Sequence, residues 1–303
     1  MTSEGAPGWS SWPSPAKLNL FLHVTGRRSD GYHELQTVFQ FLGWGDVVWL
    51  RPREDGVVHR ARELPGVAEH EDLTLRAARA LQRGAGVNAG VDIAVDKRIP
   101  AGGGLGGGSS NAASVLVGLN RIWGCDWSLD ALADLGRGLG ADVPVFVRGR
   151  TAWGEGIGER LTPLELPAQA YLVVDPGVAV VTREIFQARE LTRSTPPLKM
   201  SDFLAGAGRN DCQPVATRRH AEIAEVLEWL GRWPGVSGKA RMSGTGGCCF
   251  AAFGEGPGAE QAARAALREL PARWRGFVAE GVSRSPLQEA AVPMRAEGSS
   301  TGA

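Results

Sequence analysis

The chain has 303 residues, enough for two domains with a core in each, and its 33 lysines and arginines balance 33 aspartates and glutamates. Zero net charge argues against nucleic acid as a partner, because such binders carry a basic excess on one face, yet it leaves room for a small anionic ligand held by one loop. The four cysteines lack C-x-x-C spacing, no apolar run approaches the roughly 18 residues of a membrane span, and the opening MTSEGAPGWSSW lacks the basic stretch of a leader, so the expected setting is a reducing cytoplasm, with no membrane contact and no dedicated metal site.

Residues 1–12 show no period and read as a loosely held tail, with order beginning near Pro13. Leu18, Leu20, Leu22 and Val24 then fall on one strand face and Lys17, Asn19, Phe21 and His23 on the other, which puts Lys17 and Asn19 together on the side away from the core. Residues 27–31 form a turn cluster, Tyr32 and His33 open the next segment, and strands are expected over 37–42 and 46–50. Asp72 caps a helix whose inner side is Leu73, Ala77, Ala80 and Leu81. Val91, Ile93 and Val95 alternate as a strand, while Val115, Leu116, Leu119, Ile122 and Trp123 recur at helical spacing. Ser128 can cap a further helix carrying Leu129, Leu132, Leu135 and Leu139 and stopped by Gly140. Asp142 follows at once, where an acid meets the negative end of that helix's dipole unless another task holds it there; a turn-forming aspartate ahead of Pro144 is the plain alternative.

The second half begins with a strand over 170–174 and a helix with Ile185 and Phe186 that Thr182 can cap. Ile223, Val226, Leu227 and Leu230 mark a helix, residues 239–243 and 248–253 a strand pair around a glycine turn, Ala263, Ala266, Leu267 and Leu270 another helix, and 277–282 a last strand. Without the extra helix this is the β-α-β-β-α-β order of ferredoxin-like domains. The expected division falls near Leu161, giving domains 1–161 and 162–303, with a disordered tail from 293; no internal repeat is present.

Between the strand near 95 and the helix near 115 lies PAGGGLGGGSSN, residues 100–111, with six glycines among the seven residues 102–108. Glycine gives up backbone entropy and buries nothing, so such a run fits a backbone that must approach a ligand, most often phosphate oxygens. A flexible linker would have nothing structured against it, whereas strand, glycine loop and helix together aim a helix N-terminus at an anion. Gly102, Gly104 and Gly107 satisfy G-x-G-x-x-G, a weak match inside a glycine run, and the first strand and later acid of a dinucleotide fold are missing. No Gly-Lys-Ser/Thr closes the loop and no VAIK, HRD or DFG is present, so the loop lies outside P-loop and protein-kinase patterns.

The loop resembles the phosphate loop of the GHMP small-molecule kinases, and PSPAKLNLFLHVTGRRSDGYHELQTVFQ and RMSGTGGCCFAAF resemble that superfamily's other two motifs. PAKLNL with DGYHEL, and LGADVPVFVRG at 139–149, are similar to the branch whose acceptor is 4-diphosphocytidyl-2-C-methyl-D-erythritol, a cytidine-diphosphate sugar alcohol of non-mevalonate isoprenoid synthesis. The similarity spans 13–287. It implies an α+β, two-domain fold, with an N-terminal ribosomal-protein-S5-like ATP-binding domain and a C-terminal ferredoxin-like domain. The implied reaction uses ATP, accompanied by Mg²⁺, to phosphorylate a hydroxyl of the erythritol portion, giving the 2-phosphate and ADP, in a bacterial cytoplasm.

By position, the resemblance makes Asp142 the acceptor of the hydroxyl proton and Lys17 its charged neighbour, able to stabilise the transferring group. Only four of the 33 basic residues are lysine, at 17, 97, 199 and 239, so keeping a compact ammonium at 17 and 97 suits geometry that a guanidinium cannot meet. Tyr32 and Phe186 match the aromatic pair that holds the cytosine ring, His33 the group that bonds its edge, and Asn19 and Thr182 further substrate contacts, although a helix cap explains Thr182 equally well. The ATP side comprises Lys97, Pro100, Ala101, Gly102, Gly103, Gly104, Leu105, Gly106, Gly107, Gly108, Ser109 and Ser110. The asparagine that the family carries near the nucleotide is missing from His70, Glu71, Asp72 and Leu73. The competing readings are a GHMP kinase of the homoserine or mevalonate type and a glycine-loop NAD-binding oxidoreductase. A binding module without catalysis is disfavoured because Lys17 and Asp142 are both present.

Overall fold

The computed structural model describes residues 7–291, so the tail expected from 293 onward lies outside the described residues. β1 (Ser10–Arg27) and β2 (His33–Arg53) pair antiparallel along most of their length and carry the first half of the molecule. β3 (Val58–Arg60) and β4 (Gly90–Asp96) extend the sheet beyond the far end of β2, and β5 (Ala152–Gly156) with β6 (Arg160–Pro163) forms a hairpin along its near end. One 3-10 turn (Glu69–Glu71) precedes α1 (Leu73–Ala85), whose N-cap Asp72 accepts the Thr74 N–H as expected. α2 (Gly107–Ile122), α3 (Leu129–Arg137) and α4 (Val143–Arg148) complete the layer packed on this sheet. α2 is its hub and is buried from Ser110 through Leu119. Small residues permit this depth, since a Cβ on Gly118 would stand 2.7 Å from Leu50 and 2.9 Å from the Trp12 ring.

The second half contains β7 (Gln169–Asp175), α5 (Thr182–Gln187), α6 (Met200–Leu204), α7 (Gln213–Arg219), α8 (Ala221–Gly231), β8 (Ser237–Met242), β9 (Cys249–Glu255), α9 (Pro257–Arg268), β10 (Arg275–Val282) and α10 (Pro286–Ala291). Its strands run antiparallel in the order β10-β7-β9-β8, the ferredoxin-like arrangement, with the apolar sides of α8 and α9 in the core beneath them. β10 also pairs with β2 through Gly281 and Leu42, joining both halves into one ten-stranded sheet.

Several expectations need correction. Order begins before Pro13: β1 starts at Ser10, and Trp12, inside the expected tail, is buried in the first core. β2 is one 21-residue strand that runs through Gly43 and Gly45, and Gly45 is a close-packing position, where a Cβ would fall 2.2 Å from the Ser14 carbonyl. The alternation of β1 is interrupted by a register shift between Asn19 and Leu22. Leu22 therefore joins Lys17 and Asn19 in lining the cleft, while Phe21 goes into the core. The boundary expected at 161 falls inside β6, and α10 returns to the first half, where Leu287 joins its core.

Candidate active site

Both halves line a single cleft of about 850 Å³. At its floor the Lys17 ammonium, 4% exposed, meets Asn19 Oδ1 at 2.5 Å, the Gly104 carbonyl at 3.0 Å and Asp142 Oδ2 at 3.3 Å. The Phe39 ring lies below, its centroid 5.6 Å from Nζ. Asn19 is held in turn by Thr37, whose Oγ1 accepts an Nδ2–H at 2.9 Å, so it positions Lys17 as well as lining the cleft. Asp142 does not stand at the exit of α3, which ends at Arg137; it occupies the N-cap position of α4, the end of a helix that favours an acid. Its side chain makes no capping bond, and its carboxylate, 32% exposed, is directed at Lys17.

The glycine loop runs beside this pair and is held by its carbonyls. Gly247 N–H donates to Gly102 O, Cys248 N–H to Gly103 O, the Ser243 hydroxyl and Lys17 Nζ to Gly104 O, and Lys17 N–H to Leu105 O. In a trans peptide each N–H opposes the preceding carbonyl, so the N–H groups of 103–106 point away from these contacts, and none meets a backbone acceptor among the described residues. Gly106 is the N-cap of α2, with φ +74° and no side-chain cap, which leaves the first-turn N–H groups at 107–109 without intrahelical partners. Of the loop, Gly104, Gly106 and Ser109 line the cleft beside Lys17. Packing accounts for part of the glycine content: a Cβ on Gly103 would reach Cys248 Sγ at 2.5 Å, and one on Gly104 would reach the Ser243 carbonyl at 2.0 Å.

The other ATP-side candidates divide by orientation. Ala101, Gly102 and Gly108 are exposed, Pro100 and Gly107 half-buried, and Ser109 lines the cleft. Leu105 and Ser110 face inward: Leu105 sits in the core, and the Ser110 hydroxyl donates to the Pro15 carbonyl at 2.7 Å. Ser110 therefore cannot offer its hydroxyl to a phosphate as expected, because the rotation that turns Ser109 outward turns its neighbour into the sheet. Lys97 is tethered by Asp46, a fully buried carboxylate that also accepts the N–H groups of Arg98 and Ile99 at 2.6 and 2.7 Å and the Asn111 amide at 2.9 Å. This holds the ammonium against Gly107, at the start of α2.

At the opposite end, the His33 and Phe186 rings stack with centroids 5.0 Å apart and planes 19° from parallel. Tyr32, 61% exposed, stands at the mouth with its backbone N–H on Asp30. Arg193, which the sequence reading passed over, donates Nε–H to His33 Nε2 at 3.2 Å and its other N–H groups to the carbonyls of Phe186, Ala188 and Leu191. Burial foremost, then the charges of Arg193 and Arg27, lower the His33 pKa, which favours a neutral ring with its proton on Nδ1. Thr182 does not cap α5, whose N-cap is Val181; its hydroxyl instead pairs with Thr245 Oγ1 at 2.8 Å, linking α5 to the turn beside Asn19. Nothing at position 193 signals this role, because its partners lie across the cleft and on a helix end.

This geometry, with a lysine–carboxylate pair between a donor-lined glycine loop and an aromatic recess, defines a small-molecule kinase of the GHMP class. The family models described as GHMP kinases N terminal domain and GHMP kinases C terminal match residues 72–150 and 188–273. A 4-diphosphocytidyl-2-C-methyl-D-erythritol kinase from Halorhodospira halophila is 62% identical over 282 residues, 92% of this chain and 95% of that relative. A crystal structure of 4-(cytidine 5'-diphospho)-2C-methyl-D-erythritol kinase superposes with a TM-score of 0.76 at 36% identity, over 90% of this chain and 99% of the other. The chain belongs to the 4-diphosphocytidyl-2-C-methyl-D-erythritol kinase family. A Methanococcus jannaschii mevalonate kinase has the same fold, with a TM-score of 0.60 over 92% of this chain and 99% of the other, but is only 14% identical. Among the described residues no helix is long and apolar enough to cross a membrane.

Proposed function

We propose that the chain transfers the γ-phosphoryl group of ATP to an erythritol hydroxyl of 4-diphosphocytidyl-2-C-methyl-D-erythritol, giving the 2-phosphate and ADP, in a bacterial cytoplasm. The observation that carries this reading is the Lys17–Asp142 pair, 3.3 Å apart, in one cleft with the glycine loop and the aromatic recess. Asp142 accepts the proton of the attacking hydroxyl, and Lys17 stabilises charge on the group in flight. The loop N–H groups, Ser109 and Lys97 hold the ATP phosphates, so the protein's main contributions are position and charge neutralisation. Tyr32, His33 and Phe186 receive the cytosine ring. Among the described residues no group of three or more acidic, histidine or cysteine side chains could hold a metal ion. Mg²⁺ would therefore be held chiefly by the ATP phosphates, neutralising their charge, with the Ser109 hydroxyl and the Asp142 carboxylate as hard oxygen donors in the same cleft.

Coupled ADP release with three acceptors tests the reading. The cytidyl substrate should support turnover while mevalonate and homoserine do not; turnover of either of those instead would reject it. Tyr32→Ala should weaken the cytidyl substrate by roughly 1–3 kcal/mol, the range for a base stacked on an aromatic ring, and leave the KM for ATP unchanged. An unaltered KM for the cytidyl substrate would remove Tyr32 from the base site.

A further inference from the structure

Four cationic side chains line the cleft, Lys17, Arg27, Arg183 and Arg193, against two carboxylates, Asp30 and Asp142. Most of that charge is already committed. Lys17 holds Asp142, Asp30 is bonded by Arg28, and Arg193 spends its donors on His33 and three carbonyls. The guanidinium groups of Arg27 and Arg183 make no hydrogen bond and no ion pair within 4 Å among the described residues, although both line the cleft. Two exposed guanidiniums without a carboxylate partner give this part of the cleft a positive potential that favours an anionic ligand.

Their positions say which part of a ligand they meet. Arg27 is paired with His33 across the β1–β2 hairpin, on the base side of the cleft. Arg183 lies one helical turn before Phe186 on α5, a spacing that brings both side chains to one face. It follows Thr182, which is tied to Thr245; the adjoining Gly244 packs so close to Asn19 that a Cβ there would be 2.9 Å from Oδ1. Thus α5 runs from the Lys17–Asn19 end of the cleft to the aromatic end, with Arg183 in between.

We propose that Arg27 and Arg183 form a subsite for the diphosphate bridge of a nucleoside-diphosphate ester, resting on the substrate reading above. A bridging diphosphate carries two negative charges, and its oxygens suit the two-pronged donors of arginine better than a point ammonium. ATP phosphates go to backbone N–H groups and Lys97 on the other side of Lys17, so the two anionic ligands are sorted by different donors.

The test compares the wild-type protein with Arg27→Met, Arg183→Met and the double variant, measuring CDP and cytidine binding by calorimetry with ADP saturating the glycine loop, and KM for both substrates. Each single change should weaken CDP about 10-fold, as expected for losing a hydrogen bond to a charged group, and leave cytidine and the KM for ATP unchanged. CDP binding in the double variant equal to wild type, or an equal loss of cytidine, overturns the subsite. A rise confined to the KM for ATP overturns it too, because it moves the arginines to the other nucleotide. A wild-type protein that binds no CDP and turns over no cytidyl substrate defeats the functional reading, whereas normal turnover with unaltered CDP binding in the double variant defeats this assignment alone.

Discussion

Asp142→Asn is expected to lower kcat by roughly 10²–10⁴, the range for losing a general base, with the KM values of both substrates little changed. The substitution preserves shape and leaves the start of α4 intact, because the Asp142 side chain makes no capping bond there. It keeps an oxygen near Lys17 but removes the basic site, so the attacking hydroxyl has nowhere to send its proton. Lys17 retains the Asn19 and Gly104 oxygens, so it is not left buried without a partner, and thermal unfolding should shift little. Single-turnover measurements separate chemistry from product release. A phosphoryl-transfer step as fast as wild type would take Asp142 out of the mechanism.

The ferredoxin-like second half and the choice of positions 17, 32, 33, 142 and 186, all of which line one cleft, were legible in the sequence because periodicity and local motifs report on neighbours along the chain. What stayed hidden depends on contacts between distant segments. Period two placed Phe21 on the site face, but the register shift after Asn19 sent it to the core and brought Leu22 forward. The position of Asp142 was read from the helix before it, when the helix after it sets its environment. Asp46 looked like the first residue of a strand, yet it ties Lys97, the peptides entering the loop and Asn111 of α2 to a single carboxylate. Arg193 carries no local pattern. The glycine run shows the limit most directly: its letters point to a phosphate, while half of its glycines answer to a turn about 140 residues away.

That division of labour makes Gly104 the most sensitive loop position. Its φ is +77°, and a Cβ would lie 2.0 Å from the Ser243 carbonyl and 2.9 Å from the Gly246 backbone nitrogen, atoms held by the β8–β9 turn and unable to swing aside. Gly104→Ala must therefore push the loop off that turn, losing the Ser243 contact and displacing the carbonyl that bonds Lys17. The expected cost is roughly 2–4 kcal/mol of stability, in line with overpacking at a strained backbone position. Moving the phosphate cradle by about 1 Å should also lower kcat/KM for ATP on the order of 10²-fold. Gly108→Ala is the contrast, since its φ is not in the left-handed region and its Cβ would meet only Leu73, at an ordinary 3.5 Å. This residue lies in the first turn of α2, so alanine should leave melting unchanged or slightly raised while increasing the KM for ATP by crowding the phosphates. Melting curves and ATP kinetics on the two variants separate the roles. If Gly104→Ala melted with wild type and only Gly108→Ala lost stability, the loop would not be anchored through its contacts with Ser243 and Gly246.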